Sequence, residues 1–103
     1  TLTSDDGRFR SRALFPLDGP RSTELYELTL RSGCREEAEP HAPGTRENIA
    51  VASGHLTVQV GEEVHELGAG DAIVFAADVP HAYLNPSAEE TRAYLVMTYA
   101  HAT

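Results

Sequence analysis

The stretch His41-Ala42-Pro43-Gly44-Thr45-Arg46-Glu47, followed after six intervening residues by Gly54, decides the reading of this chain. A second stretch answers it. Gly70-Asp71 opens an apolar run that leads to Asp78-Val79-Pro80-His81-Ala82-Tyr83-Leu84-Asn85. Glu47, Ile49 and Val51 share parity, so one face of a strand carries all three and the carboxylate lies on the core side. His81, Tyr83 and Asn85 share a face in the same way. Between the two stretches, Leu56, Val58 and Val60 alternate with Thr57 and Gln59, Gly61-Glu62 makes a two-residue hairpin turn, and Val64 to Leu67 forms the return strand. Two histidines and one carboxylate on paired strands, His41, Glu47 and His81, suit a metal or an acidic ligand inside a small β-barrel.

Outward from this centre the pattern stays extended. Tyr26, Leu28 and Leu30 alternate with Glu27 and Thr29 as a half-buried strand that ends at Ser32-Gly33. Leu14-Phe15 begins an earlier strand, and Gly19-Pro20 marks a turn. Glu36 to Glu39 is acidic and exposed, with room for one helical turn before Pro40 and Pro43 stop it. Ile73 to Phe75 is a short apolar strand, Asn85-Pro86 turns the chain, and Tyr94 to Tyr99 is the last strand. Short strands at regular spacing with no long helix predict an all-β protein, an antiparallel sandwich or barrel. Residues 1–12 are polar and are expected to be disordered or exchanged between copies.

These motifs resemble the cupin family, whose first motif runs Gly, His-x-His, Glu, Gly and whose second runs Gly, Pro-x-Gly, His, Asn. His41 takes the place of the first histidine and Pro43 that of the second. Glu47 and Gly54 match, as do Gly70, His81 and Asn85. Ala76 and Asp78 stand where the second motif has proline and glycine. The resemblance implies a small antiparallel double-stranded β-helix, a jelly-roll barrel, with one of four usual metal ligands missing. The run from Leu14-Phe15-Pro16 through Glu24-Leu25-Tyr26-Glu27-Leu28 and on to Glu47, with the tail Val96-Met97-Thr98-Tyr99, is similar to the carboxy-terminal sensor of XRE-type helix-turn-helix regulators. That implies a single cupin domain over 1–103, with a DNA-binding domain upstream of this chain.

The 103 residues suit one domain with one core, and dimerisation would add to the limited surface that a chain of this size buries. A formal net charge of −8 speaks against gripping nucleic acid directly, since that affinity comes from Lys and Arg on phosphates. DNA would be reached only through the attached helix-turn-helix domain. The single cysteine, Cys34, excludes an intrachain disulfide and points to a reduced, cytoplasmic setting. The longest apolar run, Ala72 to Ala77, is too short to span a membrane. The start without methionine, in a polar stretch, fits an excised domain or a processed product.

Neutral imidazole and ionised carboxylate are good ligands for zinc, manganese, iron and nickel, and two His with one carboxylate is the facial set of non-haem iron oxygenases. The contrary reading is a vestigial site. There His41 bonds a backbone carbonyl, Glu47 pairs with Arg46 or Arg92, and His81 keeps a buried polar contact. Tyr83, Asn85, Tyr26 and Met97 are candidate ligand-binding residues, set against core filling by Tyr83 and turn capping by Asn85. Phe75, Tyr94 and Tyr99 are further candidates for a pocket wall. His55 faces away from Leu56 and Val58, His65 sits on an acidic hairpin, His101 is near the end, and Cys34 reads as an inert thiol. The functional expectation is a small-molecule sensor rather than an enzyme. The alternatives are a metal-dependent dioxygenase or isomerase, and a metal-free binding or dimerisation module.

Overall fold

Period-two alternation, glycines at the turns and the absence of any long 3.6-residue apolar stripe leave the chain one way to bury its apolar side chains: sheet against sheet. The computed structural model describes residues 2–3, 7–14 and 23–99 and shows this arrangement. Ten strands run in order: β1 Leu2–Thr3, β2 Phe9–Ala13, β3 Thr23–Leu30, β4 Arg35–Ala38, β5 Arg46–Ser53, β6 His55–Val60, β7 Glu63–Gly68, β8 Ala72–Ala76, β9 His81–Leu84 and β10 Thr91–Thr98. No helix occurs among the described residues. One sheet has the order β1-β2-β3-β10-β5-β8 and the other β4-β9-β6-β7, with every pairing antiparallel.

The core lies between the two sheets. From the larger sheet come Leu28, Leu30, Ile49 and Leu95, and from the smaller one Leu56 and Val58, each at most 4% exposed. Burying each such side chain contributes about 1.5–3 kcal/mol. In β5 the burial alternates without a break from Glu47 to Val51, so the parity that buries Ile49 also buries Glu47. Two turns show why glycine is required. Val60 pairs with Glu63, and Gly61 has φ 58° while no described non-glycine residue has positive φ, which makes Gly61-Glu62 a type II′ hairpin. At Gly54, with φ 85°, a β-carbon would lie 2.5 Å from Thr91 Oγ1 and 2.9 Å from the Glu90 carbonyl.

Three expectations change. Glu36 to Glu39 holds no helical turn. Arg35–Ala38 is β4, which pairs along β9 because β9 otherwise has an open edge. Within the segment expected to be disordered or exchanged, Leu2–Thr3 pairs with β2 and Phe9–Ala13 lies along β3, anchored by Phe9 at 4% exposure. The strand expected to begin at Leu14-Phe15 instead ends at Ala13. Phe15, Pro16, the Gly19-Pro20 turn and His101 lie outside the described residues.

Candidate metal and ligand site

β5 and β9 lie in opposite sheets, and their inward faces bring Glu47 and His81 together in the core. His41 comes from the loop between β4 and β5. It is anchored by its backbone N–H, which donates to the Ala77 carbonyl at 2.9 Å. The Nε2 atoms of His41 and His81 lie 3.2 Å and 2.9 Å from Glu47 Oε2. One donor atom from each of the three residues falls within 4.8 Å of the others. The side chains of Glu47 and His81 are wholly buried, and that of His41 is 33% exposed.

Hydrogen bonding fixes what these atoms can do. His81 Nδ1 donates to the Val79 carbonyl at 2.8 Å, since a carbonyl can only accept. In the neutral ring Nε2 is therefore a bare lone pair, and it faces a carboxylate oxygen. The geometry of a hydrogen bond is not met there despite the short approach, and Glu47 Oε2 and His81 Nε2 are both buried without a hydrogen-bond partner. Two acceptors this close call for a proton on Nε2 or a metal cation between them. Burial opposes a charge on His81, but the Glu47 carboxylate and the Val79 carbonyl outweigh it and hold its pKa above the ordinary histidine value. The other carboxylate oxygen, Oε1, accepts the Tyr83 hydroxyl. Burial and the Glu47 charge push the Tyr83 phenol far above its usual range, so Tyr83 stays a donor.

The spacing identifies the kind of cation that fits. Donors about 2.0–2.2 Å from one ion stand about 2.8–3.6 Å apart at octahedral or tetrahedral angles. Acceptors around an ammonium, each about 2.8 Å from nitrogen, stand about 4.6 Å apart. Separations of 2.9 and 3.2 Å match a metal and are too short for an ammonium. The His81–Val79 bond is also the kind of outer contact that orients a ligating imidazole. These residues fit a divalent metal.

A cavity of about 560 Å³ opens between β2, β3 and β4, within the range of small-molecule sites. Tyr26, Tyr83 and Met97 line it, and so does His41, which joins it to the triad. Asn85 does not line it. Its amide donates to the carbonyls of Leu30 and Glu89 at 3.0 and 2.6 Å and accepts from Ser87 N and Oγ, so its capacity goes to tying the turn after β9 to the end of β3. Phe75 packs edge-on against His81, with ring centroids 5.5 Å apart. Tyr94 points outward to Glu27, while Tyr99 reaches Glu24. Glu47 pairs with neither Arg46 nor Arg92. His55 is exposed, His65 meets Glu63 at 3.4 Å, and Cys34 is buried. Two residues of the site escaped the sequence reading: Phe9, stacked on Tyr83 at 6.3 Å, and Glu36, which faces inward opposite Tyr83.

Comparison with known proteins sets this geometry in context. The Cupin domain family matches residues 26–97. The chain is 32% identical over 87 residues to the HTH-type transcriptional regulator SutR of Escherichia coli, covering 84% of this chain and 49% of that protein. It thus spans about half the length of this curated relative. Among solved structures, the cupin domain of an XRE family transcriptional regulator from Enterobacter cloacae superposes with TM-score 0.85 at 29% identity, over 91% of this chain and 99% of that one. An HTH_3 family transcriptional regulator from Vibrio cholerae gives TM-score 0.86 at 32% identity, over 94% of this chain and 54% of that one. A cupin-superfamily sugar phosphate isomerase from Silicibacter pomeroyi shares the fold alone, with TM-score 0.71 at 21% identity over 90% of this chain and 60% of that one.

Proposed function

This chain belongs to the cupin domain family, and on that premise we propose that it is the small-molecule sensor of a cytoplasmic helix-turn-helix transcriptional regulator. The observation that carries the reading is the join between the cavity and the triad. His41 both lines the cavity and lies 3.2 Å from the unpartnered Glu47 Oε2. His41, Glu47 and His81 would hold zinc, manganese, iron or nickel. The bound ion supplies a Lewis-acidic anchor with open positions. The protein's own residues do the rest. Val79 orients His81, Tyr83 fixes the Glu47 carboxylate, and the apolar wall keeps water from the ligand. Ligand binding alters regulation only if it favours one of two arrangements of this domain and the DNA-binding domain. DNA is contacted by the attached domain, since the net charge of −8 repels phosphate here.

The same residues also support a second reading, a metal-dependent dioxygenase or isomerase, because a shared fold hosts both uses. A symmetric dimer is part of the proposal. The outermost strands β8 and β7 expose Val74 and Val64 at 55% and 59%, which self-association would cover. The test is metal analysis after dialysis against the four ions, for wild type and His81→Ala, with a gel shift on duplex DNA. The expected result is about one ion per chain in the wild type, loss of it in the variant, and no salt-sensitive DNA binding by this domain. Equal metal in the two proteins removes the metal centre. Salt-sensitive retention of DNA by the domain alone removes the division of labour.

A further inference from the structure

Two copies of this chain, each with a formal net charge of −8, repel one another, so a stable contact between them has to form where the sign of the surface reverses. The outward face of the larger sheet is such a place. Register and alternation put Arg10 and Arg92 in one outward row of that face, Arg12 and Glu27 in the next, and Arg46 on its β8 side. Among the described residues, the strands of this face hold four arginines against the one carboxylate of Glu27, in a chain with eight Lys and Arg and sixteen Asp and Glu. Arg12 holds Glu27 at 3.1 Å, and Arg92 reaches Glu90, just before β10, at 4.0 Å. Arg46 is exposed and pairs with no described side chain.

The opposite sign lies on the β6–β7 hairpin, which carries Glu62, Glu63 and Glu66 and no arginine or lysine. Glu63 meets His65, while Glu66 is exposed and shares the outward face of β7 with Val64. Val64 and Val74 are the most exposed large apolar side chains among the described residues, so each surface has an apolar centre beside its charge. The reach from valine to charge is alike on both. Arg46 pairs with Ala76 and Val74 with Asn48, so Arg46 and Val74 are diagonal neighbours, about 7–8 Å apart. Val64 and Glu66 stand two residues apart on one strand face, about 6.4–6.8 Å. β7 and β8 are the outermost strands of their sheets and are joined by a tight turn, in which Asp71 N donates to the Gly68 carbonyl at 3.0 Å. The two patches therefore flank one side of the barrel, and a two-fold axis there lets each patch meet its counterpart on the other copy.

We propose that a second copy of this chain docks on the β5–β8 patch, with Val64 of one copy packed on Val74 of the other and Glu66 paired with Arg46, each contact made twice about the two-fold axis. The proposal rests on the symmetric dimer of the proposed function and adds which surfaces meet and what sets their register. Burial of the valines supplies the apolar contact. The charge pairs supply selectivity, because a docking that sets the acidic hairpin against another copy's carboxylates is repelled.

Sedimentation equilibrium of the 103-residue chain tests this. Arg46→Glu and Glu66→Arg each set like charges opposite one another in their own dimers and should weaken self-association at least about tenfold. An equal mixture of the two variants should return to within about threefold of the wild-type dissociation constant, because every pair in the mixed dimer is again opposite in sign. Arg31→Glu, at an exposed turn, changes the net charge as much as Arg46→Glu and should move dimerisation by no more than about threefold. A wild type that stays monomeric at high micromolar concentration overturns both this contact and the dimer. A dimer that neither single variant weakens overturns the contact and leaves the dimer standing. So does a mixture that stays as weak as its components while both variants keep the wild-type circular dichroism spectrum. Salt-sensitive retention of duplex DNA that Arg46→Glu abolishes assigns the basic face to phosphate and overturns the proposal.

Discussion

Replacing Glu47 with glutamine should make the metal-free protein more stable at pH 9 and abolish its stabilisation by zinc. Glu47 is wholly buried, and its Oε2 has no hydrogen-bond partner although His81 Nε2 lies 2.9 Å away. A buried acceptor left unsatisfied costs about 1–3 kcal/mol. Glu47→Gln keeps an oxygen for the Tyr83 hydroxyl and places an amide N–H opposite the bare Nε2. One substitution turns two facing acceptors into a donor and an acceptor. The expected gain is about 1–3 kcal/mol, and each kcal/mol raises the melting temperature by roughly 4–8 °C in a domain near this size.

The sign depends on pH. The folded-state pKa of His81 is raised above the unfolded value, so the wild type draws full benefit from its Glu47–imidazolium contact below the unfolded pKa of about 6.5. That benefit is lost as pH rises through the folded value. The glutamine variant should therefore lead at pH 9 and lose its lead near pH 5.5. Urea melts with a chelator at both pH values measure this. Zinc added at about 100 times its dissociation constant should stabilise only the wild type, by about 2.7 kcal/mol. A glutamine variant that is less stable than wild type by 1 kcal/mol or more at pH 9 (about a fivefold shift toward the unfolded state) would show that the carboxylate serves folding, and would refute the reasoning.

Tyr83→Phe removes the donor to Glu47 Oε1 and should cost about 1–3 kcal/mol in urea melts of the metal-free protein, while lowering zinc affinity through a carboxylate that is no longer fixed. Ile49→Ala, at a position with 0% exposure between Glu47 and Val51, should cost about 2–5 kcal/mol with zinc affinity per folded molecule unchanged. Zinc affinity should fall as pH drops, and because the His81 pKa is raised the fall should begin above pH 6.5, measured by competition with a chromophoric chelator.

Much of this was legible in the residues because two periodicities coincide. In β5 the parity that marks Ile49 and Val51 as core also places Glu47 there, and in β9 His81 and Tyr83 follow the same rule. The type II′ hairpin at Gly61-Glu62 announces itself through glycine at the position that needs positive φ. Arg35-Glu36-Glu37-Ala38 was illegible as a strand, because no apolar alternation marks it and only pairing with β9 makes it extended. Arg8-Phe9-Arg10-Ser11-Arg12-Ala13 did carry a signal, arginine at every second position, which reveals a strand with one charged face. The hydrogen bond from Tyr83 to Glu47 joins residues 36 apart across two sheets, and no local pattern reports such a contact. Asn85 looked like a site residue because it shares a face with His81. Its place at the end of β9 commits it to the turn instead.

The most direct measurement is anomalous X-ray scattering at the zinc edge from crystals grown with zinc. A peak is expected about 2.0–2.2 Å from His41 Nε2, Glu47 Oε2 and His81 Nε2, with Tyr83 still bonded to the other carboxylate oxygen. A zinc peak only at surface sites such as His55 or His65, with no density among the three side chains, would contradict it.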